Sequence, residues 1–261
     1  MAQAVSEEVT FRRLRRFNII MGGLHLIQGI LMLVLSSAFA LPVYASYLRF
    51  DEATQTLNPT PVVLFTLRIG PLVAVFLFFS AVAHLLISAP GVYQWYVRNL
   101  KEHINKARWI EYSFSSSLMM IIIAMLVGIY DIATLVVIFI VNASMILFGW
   151  MMELHNQTTT KTDWTSYIFG CIAGIAPWIA VAIYLIGSAS GEGQGPPAFV
   201  YWIFFSIFVF FNTFAVNQVL QYKKVGKWRD YLYGERAYII LSLVAKSLLA
   251  WQVFAGTLRP M

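Results

Sequence analysis

A lysine near the centre of an apolar run is the first residue in this chain that could do chemistry. Lys246 lies in "YIILSLVAKSLLAWQVF", the last hydrophobic segment. A charged side chain at the bilayer centre costs about 2.5–3.5 kcal/mol on insertion scales, so an intramembrane lysine marks a functional site. Apolar surroundings favour the neutral amine, the form that condenses with an aldehyde to a Schiff base. Glu111 is its natural companion, because intramembrane carboxylates face the bundle and pair. Arg108, Glu111, Ser115 and Leu118 repeat at three- and four-residue steps and share one helix face. Two partners are open to Glu111: Arg108 three residues earlier, or Lys246 on a different segment.

Further polar residues gather at the same depth. Tyr238, Ser242 and Lys246 repeat every four residues, a stripe that ends at the lysine. Ser242 either donates a hydrogen bond near the amine or bonds its own i−4 carbonyl. His25 and His84 fall in the inner thirds of the first two apolar segments. Each alone reads as a satisfied core histidine, whereas two of them near a carboxylate can take up a mobile proton. Two His and one Glu could also hold zinc, but no i, i+4 histidine pair preorganises such a site. Phe204, Phe208, Phe211 and Gln218, and likewise Asn142, Met145 and Gly149, recur at helical spacing as core packing or as the wall of a pocket. Gly170 and Gly174 form a GxxxG, a site of close helix contact and a candidate dimer face.

The elements that position these residues are membrane helices. Hydrophobic residues make up 59% of the 261 and DEKR 11%, with a mean hydropathy of +0.72, against about 25% charged in ordinary soluble domains. Apolar runs of about 20 residues indicate helices rather than barrel strands. The expected fold is all-α, one bundle of seven transmembrane helices spanning approximately 18–39, 62–88, 105–127, 132–154, 164–187, 198–221 and 235–257, with residues 1–261 forming a single domain. Fourteen of the eighteen Lys and Arg fall on one side, three on the other, and Lys246 lies within the membrane. The positive-inside rule then puts the N-terminus in the cytoplasm and the C-terminus outside, in a multi-pass cell-membrane protein. The net charge of +6 is a topology signal with some attraction for anionic lipid, and scattered loop charges exclude a nucleic-acid partner. The first run is too long for a signal-peptide core and reads as a resident helix. The connection from Ala40 to Pro61 is long enough for a small external hairpin, and the sole cysteine, Cys171, has no intrachain partner. Polar groups are concentrated in the cytoplasmic half, which argues against a through-channel or pump.

Seven helices, a lone lysine in the last and a carboxylate in the third resemble the retinal-binding rhodopsins. The finer match is to the heliorhodopsins: "RWIEYSFSSSLM", "VNASMILFGW", "FGCIAGIAPWI", "YKKVGKW" and "GERAYIILSLVAKSLLAWQ" are similar to that family, over nearly the whole chain. The family's inverted topology agrees with the charge count. The resemblance implies all-trans retinal on Lys246 as a protonated Schiff base, Glu111 as counterion, and His25 and His84 in a polar cluster that takes part in proton movement. Ser115, Ser116, Asn142, Met145, Phe211, Gln218 and Ser242 match the chromophore surroundings, with Arg108, Tyr112 and Tyr238 supporting. It also implies a homodimer. Where pumping rhodopsins carry a second carboxylate one turn before the lysine, this chain has Ser242, and Ile122 stands where a donor carboxylate is usual. A light sensor acting on a cytoplasmic partner, without enzymatic activity, is the expected function. The alternatives are a light-driven or light-gated ion transporter, and a membrane enzyme or lipid-binding module using Lys246 as nucleophile or anion clamp.

Overall fold

The computed structural model describes residues 2–190 and 195–259, with side chains from residue 8 onward. The chain runs α1 (Ala2–Leu35), β1 (Ala40–Asp51), β2 (Thr56–Arg68), α2 (Ile69–Leu86), α3 (Val92–Lys101), α4 (Lys106–Leu126), α5 (Ile132–His155), α6 (Thr165–Ser190), α7 (Ala198–Tyr222) and α8 (Tyr231–Val253). A 3₁₀ turn at Gly226–Arg229 precedes α8, and a π turn at Phe254–Leu258 follows it. Among the described residues seven helices are long and apolar enough to cross a bilayer, α3 being the exception. Outward-facing residues such as Val34, Val82, Ile172, Ile183, Ile186 and Trp202 are exposed, as the lipid-facing surface of such a bundle requires.

Local chemistry sets the helix ends. The side chains of Asn105, Asp131 and Asp230 accept hydrogen bonds from the backbone N–H groups of Arg108, Thr134 and Leu232, capping α4, α5 and α8; such caps are worth about 1 kcal/mol each. With 34 residues, α1 is about 50 Å long, well beyond a hydrocarbon core of about 30 Å. Its first turns therefore project beyond the bilayer, where Phe11 and Leu14 pack with Tyr96 and Leu100 of α3. The sequence reading had no helix at α3, whose ten residues lie outside the apolar spans.

A hairpin is present where the sequence leaves room for one, and it is longer than expected. β1 and β2 pair antiparallel from Ala40↔Arg68 to Asp51↔Thr56, with an irregularity between Val43 and Tyr44. The fold is thus mostly rather than wholly helical. The second span starts at Ile69, not at residue 62, because residues 62–68 complete β2. "VVLFTL" is as hydrophobic as the helix it feeds, and its β-branched residues suit a strand equally well. Similarly, α1 ends at Leu35 rather than residue 39, and α8 begins four residues before the expected 235.

The spanning helices pack mainly on their neighbours in the bundle. α1 packs on α2 and α8, α2 on α4, α4 on α5, α5 on α6, and α7 on α8. At the hairpin end the core is mainly apolar: every residue of α4 from Met119 to Met125 is buried, with Phe76, Trp178, Ile203, Ile207, Leu249 and Val253 packed in the same cluster. Ser37 N–H donates to the Leu258 carbonyl at 2.8 Å, tying the first loop to the end of the last spanning segment. At the opposite end, here called the basic end, polar groups are buried.

Candidate functional site

Lys246 is buried, and its Nζ faces three partners. It lies 2.8 Å from Glu111 Oε1 and donates to Ser80 Oγ at 2.6 Å and Ser242 Oγ at 3.0 Å. Ser80 in turn donates to Glu111 Oε1 at 2.7 Å. Three helices thus converge on one amine: α2 through Ser80, α4 through Glu111, and α8 through Ser242 one turn before the lysine. The arrangement neutralises a cation at this depth and leaves its donors satisfied, which a buried charge requires. The Tyr112 ring sits with its centroid 5.0 Å from Nζ, and its hydroxyl donates to the Tyr238 carbonyl at 2.9 Å.

Glu111 does not pair with Arg108. That guanidinium reaches Glu153 of α5, at 2.6 Å, and Glu235 of α8. Its plane is flanked by the rings of Trp109 and Tyr238, at 4.4 and 4.0 Å from their centroids. Glu153 also accepts from Trp109 Nε1, from Tyr231 Oη at 3.2 Å and from the backbone N–H of Asn105 at 3.0 Å. Sequence spacing places Arg108 on the Glu111 face, but two buried carboxylates on other helices outcompete an exposed-type i−3 pair.

The two histidines come together. Their rings stack with centroids 5.8 Å apart and planes 10° from parallel. His84 Nδ1 is 2.7 Å from Asn18 Oδ1, and Asn18 itself donates to the Leu14 carbonyl. His84 lies one helical turn beyond Ser80, so the pair continues the polar path from Lys246 toward the basic end. Among the described residues no group of three His, Cys, Asp or Glu is placed to hold a metal.

On the other side of Lys246 a cavity of about 190 Å³ runs between α4, α5, α6 and α7. Of the expected surroundings, Ser115, Ser116, Met145, Phe211, Gln218 and Ser242 line it, together with Tyr112 and Tyr238. Asn142 does not; its amide donates to Ser116 Oγ at 2.9 Å and Ser117 Oγ at 3.1 Å, holding that wall of α4 from behind. Trp178 is the residue that sequence spacing missed. It makes edge-on contacts with Phe208 and Phe211 at 5.2 and 5.5 Å, forming an aromatic wall. Glycines make the room: a Cβ on Gly149 would collide with the Trp109 ring, and one on Gly174 with the Met145 sulfur. The GxxxG of α6 is therefore occupied inside the same chain, against Met145 and Phe148 of α5, and is not an outward dimer face. Ser80, Asn18, Glu153 and Glu235 were likewise missed. The only signal for Ser80 was its place four residues before His84.

A seven-helix membrane bundle with an amine, a paired acid and an aromatic cavity in its interior has the form of a rhodopsin. Consistent with that, the fold is similar to the crystal structure of the transmembrane domain and linker region of Salpingoeca rosetta rhodopsin phosphodiesterase, with a TM-score of 0.63 over 97% of this chain and 74% of that one; at 10% identity the likeness concerns the fold alone. The chain belongs to the heliorhodopsin family, whose model matches residues 14–258. It is thus a multi-pass membrane protein and, in general character, a retinal photoreceptor. A comparison with curated proteins gives no match.

Proposed function

We propose that this protein is a light sensor in which all-trans retinal is joined to Lys246 as a protonated Schiff base and Glu111 is its counterion. The observation that carries the reading is the 2.8 Å approach of Lys246 Nζ to Glu111 Oε1 at the end of the aromatic cavity. The residues present fit a long, planar, apolar polyene: aromatic rings on one wall, glycines where a Cβ would intrude, and the amine at the end. The chemistry supplied by retinal when bound is light-driven isomerisation beside a positively charged nitrogen.

The chain's own groups do the rest. Glu111 stabilises positive charge on the nitrogen electrostatically, and Ser80 holds that carboxylate in place. Ser242 stands where a second acid would be needed for a relay. His25 and His84 provide the sites that accept a proton on the cytoplasmic side. The basic end faces the cytoplasm, by the distribution of Lys and Arg, and residues 1–261 act as one domain. Movement there, in the α7–α8 link, alters a cytoplasmic partner; the protein works as a homodimer and not as an enzyme. Ion transport is the alternative, and the sealed run Met119–Met125 opposes it.

Reconstitution tests this directly. Purified apoprotein mixed with all-trans retinal should turn coloured, borohydride should fix the adduct on Lys246, and illuminated proteoliposomes should give no sustained current. An adduct elsewhere would refute the attachment, and a steady photocurrent would refute the sensor.

A further inference from the structure

A second cavity, of about 580 Å³, opens at the basic end between the α3–α4 turn, the α5–α6 loop and the α7–α8 link. We propose that it binds a small phosphate-bearing anion, and that Glu153 reports its occupancy to the Lys246 cavity. Lys161, Lys224 and Arg229 line it, against Glu102 and the buried Glu153; among the described residues none of the three cationic side chains has an ion-pair partner. The loop between α5 and α6 adds threonine hydroxyls at Thr159, Thr160 and Thr162. Point charges with short hydroxyl donors suit the three terminal oxygens of a phosphate.

Membrane topology alone would place lysines on this side. It would not dictate their backbone conformation. Lys224 has φ 50° and His103 has φ 56°, each just past the end of a helix, where a left-handed residue is ordinarily glycine. A non-glycine residue there is strained, and such strain concentrates at ligand sites. Both side chains line this one cavity. Two helices, α3 and α7, therefore end on residues that are poor for the turn and well placed for the cavity.

The floor connects to the light-absorbing site. Glu153 is 3% exposed and lines the second cavity. It accepts from Trp109 Nε1 and Arg108 Nη2, and the rings of Trp109 and Tyr238, which flank Arg108, line the first cavity. An anion drawn to the mouth changes the field at Glu153 and so at Trp109. By linkage, light that alters the first cavity changes affinity at the second by the same factor. This half rests on the proposed sensing function; the binding site does not.

The experiment titrates inorganic phosphate, against chloride at matched ionic strength, into the full-length protein in zwitterionic nanodiscs, with and without retinal. Phosphorus NMR broadening reads binding, and recovery of visible absorption after a flash reads coupling. Saturable broadening, weakened tenfold or more in a Lys224→Gly, Arg229→Gln variant of undiminished thermal stability, supports the site, as does a phosphate-dependent recovery rate lost in that variant. Equal responses to chloride, or unchanged binding in the variant, overturn the site. Phosphate binding to the coloured protein with no change in recovery overturns the coupling. A second arm replaces free phosphate with nanodiscs containing phosphatidic acid; an effect confined to that arm overturns a soluble ligand in favour of a lipid headgroup. Protein that never colours refutes the proposed light sensor while leaving the NMR titration interpretable.

Discussion

The imidazoles of His25 and His84 lie almost parallel, 5.8 Å between centroids, and among the described residues only His84 of the two has a side-chain hydrogen-bond partner, Asn18. A stacked pair with one anchored member is suited to hold a proton on one ring and not on both, since two adjacent cations repel. His84→Phe and His25→Phe should each change the rate at which visible absorption recovers after a flash by about tenfold, a barrier change of roughly 1.4 kcal/mol. Asn18→Ala should act in the same direction but less. Flash photolysis of the three variants checks the order.

Glu111 and Ser80 should separate by magnitude. Glu111→Gln removes the opposite charge beside Nζ, an effect of about 1–3 pH units on a neighbouring cation. The visible band of the retinal-bound protein should then be lost at a pH lower than in wild type by that amount. Ser80→Ala removes one hydrogen bond, about 1 kcal/mol, and should move the same midpoint by less than one unit. A spectrophotometric pH titration distinguishes them, and equal shifts would show that the opposite charge contributes no more than the single Ser80 hydrogen bond.

Gly149→Ala should destabilise the protein by about 1–3 kcal/mol through overpacking. The ring it would strike belongs to Trp109, which cannot retreat because its indole N–H is held by Glu153. Thermal melting of the retinal-bound protein is the measurement. Gly23→Ala, where a Cβ meets nothing within 4 Å, is the control and should be neutral or stabilising.

Arg108→Ala should be among the most damaging substitutions, because it leaves Glu153 and Glu235 buried without their cation. Breaking a buried pair costs about 3–5 kcal/mol. Glu153→Gln, which keeps an acceptor and leaves Glu235 to balance the arginine, should cost less. Denaturation in detergent, followed by loss of helical signal, ranks them.

Tyr96 on α3 titrates outside the bilayer. Burial pushes its hydroxyl up to about 12, so the folded state keeps a proton that the unfolded chain loses near pH 10. Stability therefore falls as pH rises from about 10 to about 12. Tyr96→Phe should blunt alkaline loss of the α1–α3 contact, read by hydrogen exchange along α3.

The spans and the pairing of Lys246 with Glu111 were legible in the sequence, because apolar length and an isolated intramembrane charge are strong local signals. His25 and His84 were legible as a pair only through their shared depth. The errors have physical causes. Residues 62–68 carry the hydropathy of a helix and the branching of a strand, and pairing with β1 decided between them. The acids that do pair with Arg108, Glu153 and Glu235, were not foreseen, because helical spacing reports neighbours on one helix and says nothing of groups across the interface. Ser80 is a common residue in an apolar run, and only the convergence of α2, α4 and α8 gives it a role. Gly170 and Gly174 were read correctly as a close contact, but the partner, Met145 of the same chain, is a tertiary fact.

The seven consecutive residues of α4 from Met119 to Met125 are shielded around the full circumference of the helix. No side of this stretch of α4 is open to a file of water, so a hydrated ion moving along this helix would find methionine, isoleucine and alanine side chains and no polar group to replace its water. In the proposed sensor, news of an absorbed photon would pass along α4 as displacement of a rigid rod, joining the hairpin end to the basic end mechanically.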